Sequence, residues 1–186
     1  MPRTNRPHKH VKRVRELRDR LWPDLNLNEI WNRNVSDGYT TVPRTMPLIM
    51  SIIDDLTKGQ PASSAYFELW GRVFDEGIVS LTNTRQHAFH ADFSGQRAER
   101  TWAERMRKLD KLGFVSIRSG SAGEFSHVLI LNPYRVLYRM HEQGQSGLRE
   151  DKYNALLERM TEIGSTDIED YKEELAEAAK EEASAA

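Results

Sequence analysis

The stretch Gln96-Arg97-Ala98-Glu99-Arg100-Thr101-Trp102-Ala103-Glu104-Arg105-Met106-Arg107-Lys108-Leu109-Asp110-Lys111-Leu112-Gly113-Phe114-Val115 carries two patterns in succession. With successive residues placed 100° apart, Ala98, Trp102, Met106, Leu109 and Leu112 fall on one side, which predicts a helix from Gln96 to Leu112 with that side buried. Gly113 supplies the stop, because it accepts the left-handed backbone that ends helices. The pattern then changes. Phe114 to Arg118 reads as a strand, Ser119-Gly120-Ser121-Ala122-Gly123 as a loop, and Phe125 with His127 to Leu131 as a returning strand, so a hairpin is predicted.

Upstream, Pro47 opens a helix through Leu48, Ile49, Ile52, Ile53 and Leu56 that closes at Gly59. Ser63-Ser64 can cap a second helix running to about Asp75, with Tyr66, Phe67, Trp70, Val73 and Phe74 as an aromatic face read as core. After Gly77, Ile78 to Leu81 is a short strand. Thr82, Asn83 and Thr84 offer caps for a helix from Arg85 to Ala91, and Phe93-Ser94-Gly95 breaks the chain before the long helix. Downstream, Asn132-Pro133 starts a helix through Tyr134, Val136, Leu137, Tyr138 and Met140.

The 186 residues fit one domain with tails, at 30% charged, 38% hydrophobic and a mean hydropathy of -0.69. Three regions are expected: a basic arm over 1–23, a domain with an N-terminal extension over 24–143, and a linker, short helix and acidic tail over 144–186. The net charge of -1 conceals opposite ends. Arg3, Arg6, Lys9, Lys12, Arg13, Arg15, Arg18 and Arg20 crowd the first twenty residues, where Val11, Val14, Leu17 and Leu21 predict a helix from Lys9 to Leu21 ended by Trp22-Pro23. A solvated tail and a DNA-touching arm fit this stretch equally. In the tail, Tyr153, Leu156, Leu157, Met160 and Ile163 form a stripe on a helix from Asp151 to Ile163, which needs the domain or a second subunit to cover it. A homodimer through 151–163 is therefore one expectation. Glu169 to Ala186 is acidic and poor in large apolar side chains, and fraying or disorder is expected there.

Several functions are excluded or left without support. The chain has no cysteine, so disulfides, Cys-based zinc sites and a thiol nucleophile are excluded. No apolar run approaches the roughly 18 residues of a membrane span, and the basic N-terminus lacks the apolar stretch of a signal peptide; a cytoplasmic protein without a membrane partner is expected. His87 and His90 lie three apart on a helix, a weak pattern for metal and a commoner one for surface histidines. Asp54-Asp55, Asp75-Glu76 and Asp92 sit at helix ends or turns, where capping explains them. No phosphate-binding glycine loop or flanked serine nucleophile is present. No enzyme activity, cofactor, metal or small-molecule substrate is expected.

The order helix, strand, helix, Gly-containing turn, long helix and hairpin, with Arg100-Thr101-Trp102 leading to Leu109-Asp110-Lys111-Leu112-Gly113-Phe114-Val115, resembles the winged helix-turn-helix superfamily over about Ser63 to Leu131. The resemblance implies an α+β fold, mainly helical with a small hairpin, whose long helix reads duplex DNA. One departure is Phe89 to Gly95, bulkier than the usual turn between the two helices. Val42-Pro43-Arg44-Thr45-Met46-Pro47 and Asn132-Pro133-Tyr134 are also similar to small proteins of bacterial plasmids and other mobile elements, which implies a role in regulation, replication or maintenance.

Helical periodicity independently marks a surface. Opposite the apolar side, Arg97, Arg100, Glu104, Arg107 and Lys111 fall within about an 80° arc. Such a face fits the major groove, where guanidinium groups pair with guanine edges or hold phosphates. Gln96, Arg97, Arg100 and Thr101 lie at the end that enters first. In the hairpin, Arg118, Ser119 and Ser121 are candidate phosphate contacts, although a plain flexible turn explains the loop as well. Glu124 would repel phosphate if it pointed outward, and Arg105, near the apolar flank, is assigned to a local salt bridge. The alternative to DNA binding is a solvated face of i,i+4 ion pairs on a protein-interaction module.

Overall fold

The computed structural model describes residues 7–185, with side chains described for 11–183, and resolves into two compact units, one ending at Tyr39 and one beginning at Thr40. The first contains α1 (Pro7–Leu21) and a 3-10 turn at Leu27–Glu29. In the turn the Asn26 side chain accepts from Asn28 N. Trp31 meets Tyr39 edge-on at 6.0 Å.

The second unit is a mixed α+β body built from α2 (Met46–Leu56), α3 (Ser63–Trp70), β1 (Ile78–Ser80), α4 (Thr84–His90), α5 (Ala98–Lys111), β2 (Val115–Gly120), β3 (Gly123–Ile130), α6 (Pro133–Glu142), α7 (Glu150–Ile163) and α8 (Asp167–Ala185). Among the described residues of the chain there are eight α-helices and one three-stranded sheet of order β1-β3-β2, antiparallel throughout. β3 is the centre, with Val79 opposite Val128 on one flank and Ile117 opposite Val128 on the other. Those inward residues meet Ile49, Ile52 and Ile53 of α2, Tyr66 and Leu69 of α3, and Trp102, Met106 and Leu109 of α5 in one core.

Local chemistry sets most helix boundaries. Pro47 lies in the first turn of α2, where its missing N–H costs nothing. Asn83 caps α4 through Gln86 N, and Asn132 caps α6 through Tyr134 N and Arg135 N. The start of α3 departs from expectation: Ser63 does not cap it. Asp54, at the end of α2, accepts from Ala62 N and Ser63 N at 3.1 and 3.0 Å and from Ser63 Oγ at 2.7 Å. A carboxylate answers the open N–H groups better than a hydroxyl, and it also clasps α2 to α3.

Two expectations are corrected outright. α3 ends at Trp70, with Gly71 as its C-cap, instead of about Asp75, and the aromatic face divides: Tyr66 is buried, Phe67 is 46% exposed and Phe74, beyond the helix, is 87% exposed. The acidic end is helical instead of frayed. α8 is anchored by buried Ile168 and Tyr171, with Tyr171 edge-on to Tyr138 at 5.9 Å and Arg135 bonded to Glu174 at 2.6 and 2.7 Å.

The stripe of α7 is covered by its own chain. Tyr153, Leu156 and Met160 are buried in the core, and Lys152 binds Asp55 of α2 at 2.6 Å. The surface that motivated a dimer through 151–163 is thus largely occupied within the chain. No helix among the described residues is long and apolar enough to cross a membrane.

Candidate nucleic-acid interface

The apolar side of α5 is locked from three directions. Trp102 stacks on His87 of α4 with ring centroids 6.1 Å apart, and meets Phe125 of β3 edge-on at 5.1 Å. Asp110 reaches past the C-terminal end of the helix and accepts from Ile117 N of β2 at 3.0 Å. These contacts join α5 to the preceding helix and to both strands of the hairpin, so its outer face has one fixed direction.

That outer face carries the row expected from periodicity. Gln96 and Arg97 are exposed, with Arg97 at the N-cap position of α5, and its carbonyl accepts from Thr101 N at 2.9 Å. Thr101 itself is half-buried. Arg100 is exposed and donates to Glu104, one turn on, at 3.2 Å. Lys111 is exposed at the last turn. Arg107 is exposed, yet it donates from Nε and a terminal nitrogen to the two carboxylate oxygens of Glu124 at 2.7 and 2.6 Å. Its guanidinium also lies over the Phe125 ring at 5.5 Å.

The Arg107–Glu124 pair was hidden from sequence reading, because the residues are 17 apart and on different elements. Hydrogen bonding to Arg107 is the main cause that holds the Glu124 carboxyl below its usual range and, in return, raises Arg107. Glu124 therefore faces α5 instead of projecting from the hairpin tip.

The hairpin turns on two residues, Ser121 and Ala122, between Gly120 and Gly123. Ser126 Oγ accepts from Ala122 N at 3.1 Å and donates to the Gly123 carbonyl at 2.8 Å, which tightens the turn from inside. Gly120 is required by space: a Cβ there would sit 2.9 Å from Ser126 Cβ and 3.0 Å from His127 Nε2. Ser119 and Ser121 are exposed near the tip. Arg118 is exposed on the outer sheet face opposite His127, with one guanidinium nitrogen donating to the Ile117 carbonyl at 2.9 Å.

The structure therefore gathers Arg107, Glu124 and Phe125 at the junction of helix and hairpin, and strings Arg97, Arg100, Glu104 and Lys111 along the helix. Arg105 differs from expectation. It is buried and donates to the Pro61 carbonyl at 3.0 Å instead of joining a salt bridge, because its position on the flank of the apolar side faces the α2–α3 connection.

His87 is not a surface histidine. It is buried and its Nδ1 lies 3.1 Å from Glu68 Oε1, an oxygen that Arg72 also approaches, while Arg72 reaches His90 Nδ1 at 2.7 Å. Burial alone would raise the Glu68 carboxyl; the bonds from His87 and Arg72 outweigh it and hold Glu68 below its usual range. The i,i+4 spacing of Glu68 and Arg72 is a local signal that could have pointed here. Among the described residues no group of three or more His, Asp or Glu is placed to hold a metal ion.

No protein-family model, curated protein or solved structure matches the chain.

Proposed function

We propose that this protein binds duplex DNA sequence-specifically through the outer face of α5, with the β2–β3 hairpin as a wing, on a winged helix-turn-helix core. The observation that carries the reading is the exposed row Arg97, Arg100, Arg107 and Lys111 on a helix whose opposite side is buried through Trp102, Met106 and Leu109. A face held that rigidly presents guanidinium groups without first having to order the element that bears them.

The topology supports the same reading. A helix, a strand, two helices joined by a glycine-containing turn and a hairpin follow one another, and the first strand pairs with the second strand of the hairpin. The Arg100–Glu104 pair does not oppose it, since an exposed i,i+4 pair is worth a few tenths of a kcal/mol and exchanges readily for a phosphate. A role in regulation, replication or maintenance of a plasmid or other mobile element rests on the resemblance carried by residues 42–47 and 132–134.

Replacing Arg97→Glu together with Arg100→Glu tests the reading. Both side chains are exposed, so folding should persist by circular dichroism while retention on duplex DNA is lost. Undiminished retention would count decisively against the α5 face, and binding that ignores salt would favour a protein partner on the same fold.

A further inference from the structure

Glu104 stands where a surface built only to hold phosphates has no use for it. Helical periodicity places it inside the cationic arc of α5, with Arg97 to one side and Arg100 and Arg107 to the other. Its side chain is 40% exposed. A carboxylate turned toward a phosphate backbone weakens binding to every sequence alike, and the cations around this one do not require it. Arg107 has both prongs on Glu124. Arg100 donates to Glu104 Oε1 through Nε alone, at 3.2 Å, and its terminal nitrogens have no hydrogen-bond partner among the described residues. Glu104 Oε2 accepts no hydrogen bond among them either.

Helix stability does not explain the pair. An acid four residues before a base complements the helix dipole, whereas Arg100 before Glu104 is the poorer order. Arg97 at the N-cap and Arg100 in the first turn also set cations at the positive end of that dipole, where they oppose it.

What a carboxylate on such a face can do is accept a hydrogen bond. In the major groove the base edges offer two kinds of amino donor, cytosine N4 and adenine N6. Adenine N6 lies between two acceptors, its own N7 and thymine O4, and both repel a carboxylate. Cytosine N4 has an acceptor, guanine O6, on one side only, so cytosine is the base that a carboxylate selects. We propose, resting on the reading of α5 as the helix that faces duplex DNA, that Glu104 is a specificity-determining residue whose Oε2 accepts from a cytosine amino group. Arg100 steadies Oε1 through Nε and turns its terminal nitrogens to the adjoining phosphate.

The test is selection of bound duplexes from a random pool by the full chain, followed by competition between the selected site and the same site with one base pair exchanged. The wild-type chain should require a C·G pair at one position and lose about tenfold or more in affinity when that pair becomes T·A. Glu104→Gln should move the preference at that position to adenine, because an amide pairs with N6 and N7 together, and Glu104→Ala should leave no preference there. Both variants should stay folded by circular dichroism and keep the wild-type preference at every other position. A carboxylate that merely repels phosphates would behave differently: its removal would raise affinity for all sequences by one factor. A selected site that is the same in all three proteins, with or without such a uniform rise, overturns the inference and leaves the α5 reading standing. A wild-type chain that binds duplexes no better than Arg97→Glu with Arg100→Glu overturns that reading, and the inference with it.

Discussion

Arg107 of α5 and Glu124 of β3 face each other as a two-pronged ion pair, with nitrogen to oxygen distances of 2.6 and 2.7 Å. The pair fastens the hairpin to the helix at the point where the proposed DNA surface changes from one element to the other. It also keeps a carboxylate beside a cation that would otherwise be free to meet a phosphate.

Glu124→Gln should therefore raise affinity for duplex DNA several-fold and steepen its salt dependence by about one phosphate contact. The fold should lose no more than about 1 kcal/mol, since both side chains are about half exposed. Filter binding across a salt series and urea unfolding measure the two effects. Weaker DNA binding in this variant would mean that Glu124 serves to orient the wing.

A second expectation concerns the buried pair of Glu68 and His87. Removing the carboxylate in Glu68→Ala strands His87 and Arg72 and should cost about 3 kcal/mol in urea unfolding at neutral pH. Because the folded Glu68 carboxyl lies below its ordinary value, its stabilisation is fully present above the unfolded carboxylate range, about 4.3, and is lost as pH falls through the lower folded value. The deficit of Glu68→Ala relative to wild type should accordingly shrink on acidification. A deficit that stays constant between neutral and strongly acidic pH would contradict this assignment.

Gly120→Ala should distort the hairpin, because the new methyl group would overlap Ser126 and His127. A loss of about 1–3 kcal/mol is expected, comparable with other overpacked sites. Thermal unfolding reads this directly, and a shift smaller than about 2 °C would show that the turn relaxes at little cost.

Tyr66 offers an opposite case. Its ring is buried against Trp70 and Phe114, its hydroxyl, beside the Trp70 indole, makes no hydrogen bond of ordinary geometry among the described residues, and burial pushes its pKa well above the ordinary tyrosine value. Tyr66→Phe keeps the ring contacts and removes the unsatisfied group, so stability should be unchanged or higher by up to about 1 kcal/mol in urea unfolding. A loss above about 1 kcal/mol would indicate a partner for the hydroxyl.

Much of this architecture is legible in local patterns. The 3.6-residue repeat of Trp102, Met106 and Leu109, the Pro47 and Asn132-Pro133 helix starts, and the glycines around Ser121 each act within a few residues. What the sequence conceals acts over distance. Asp54 caps α3 from nine residues away, Glu124 finds Arg107 across 17, and His87 finds Glu68 across 19. No periodicity encodes such partnerships. The helical acidic end was missed for a related reason: Tyr171 and Glu174 become anchors only because α6 brings Tyr138 and Arg135 beneath them.

The most direct test of the α5 surface is the affinity of the full chain for duplex DNA measured against salt concentration. Each phosphate contact should contribute a slope of about -0.9 on logarithmic axes, and Arg97→Glu with Arg100→Glu should remove about two such contacts. A wild-type slope of several units that falls in this way would support the account. Affinity that is flat across the series, or a slope left unchanged by both reversals, would contradict it.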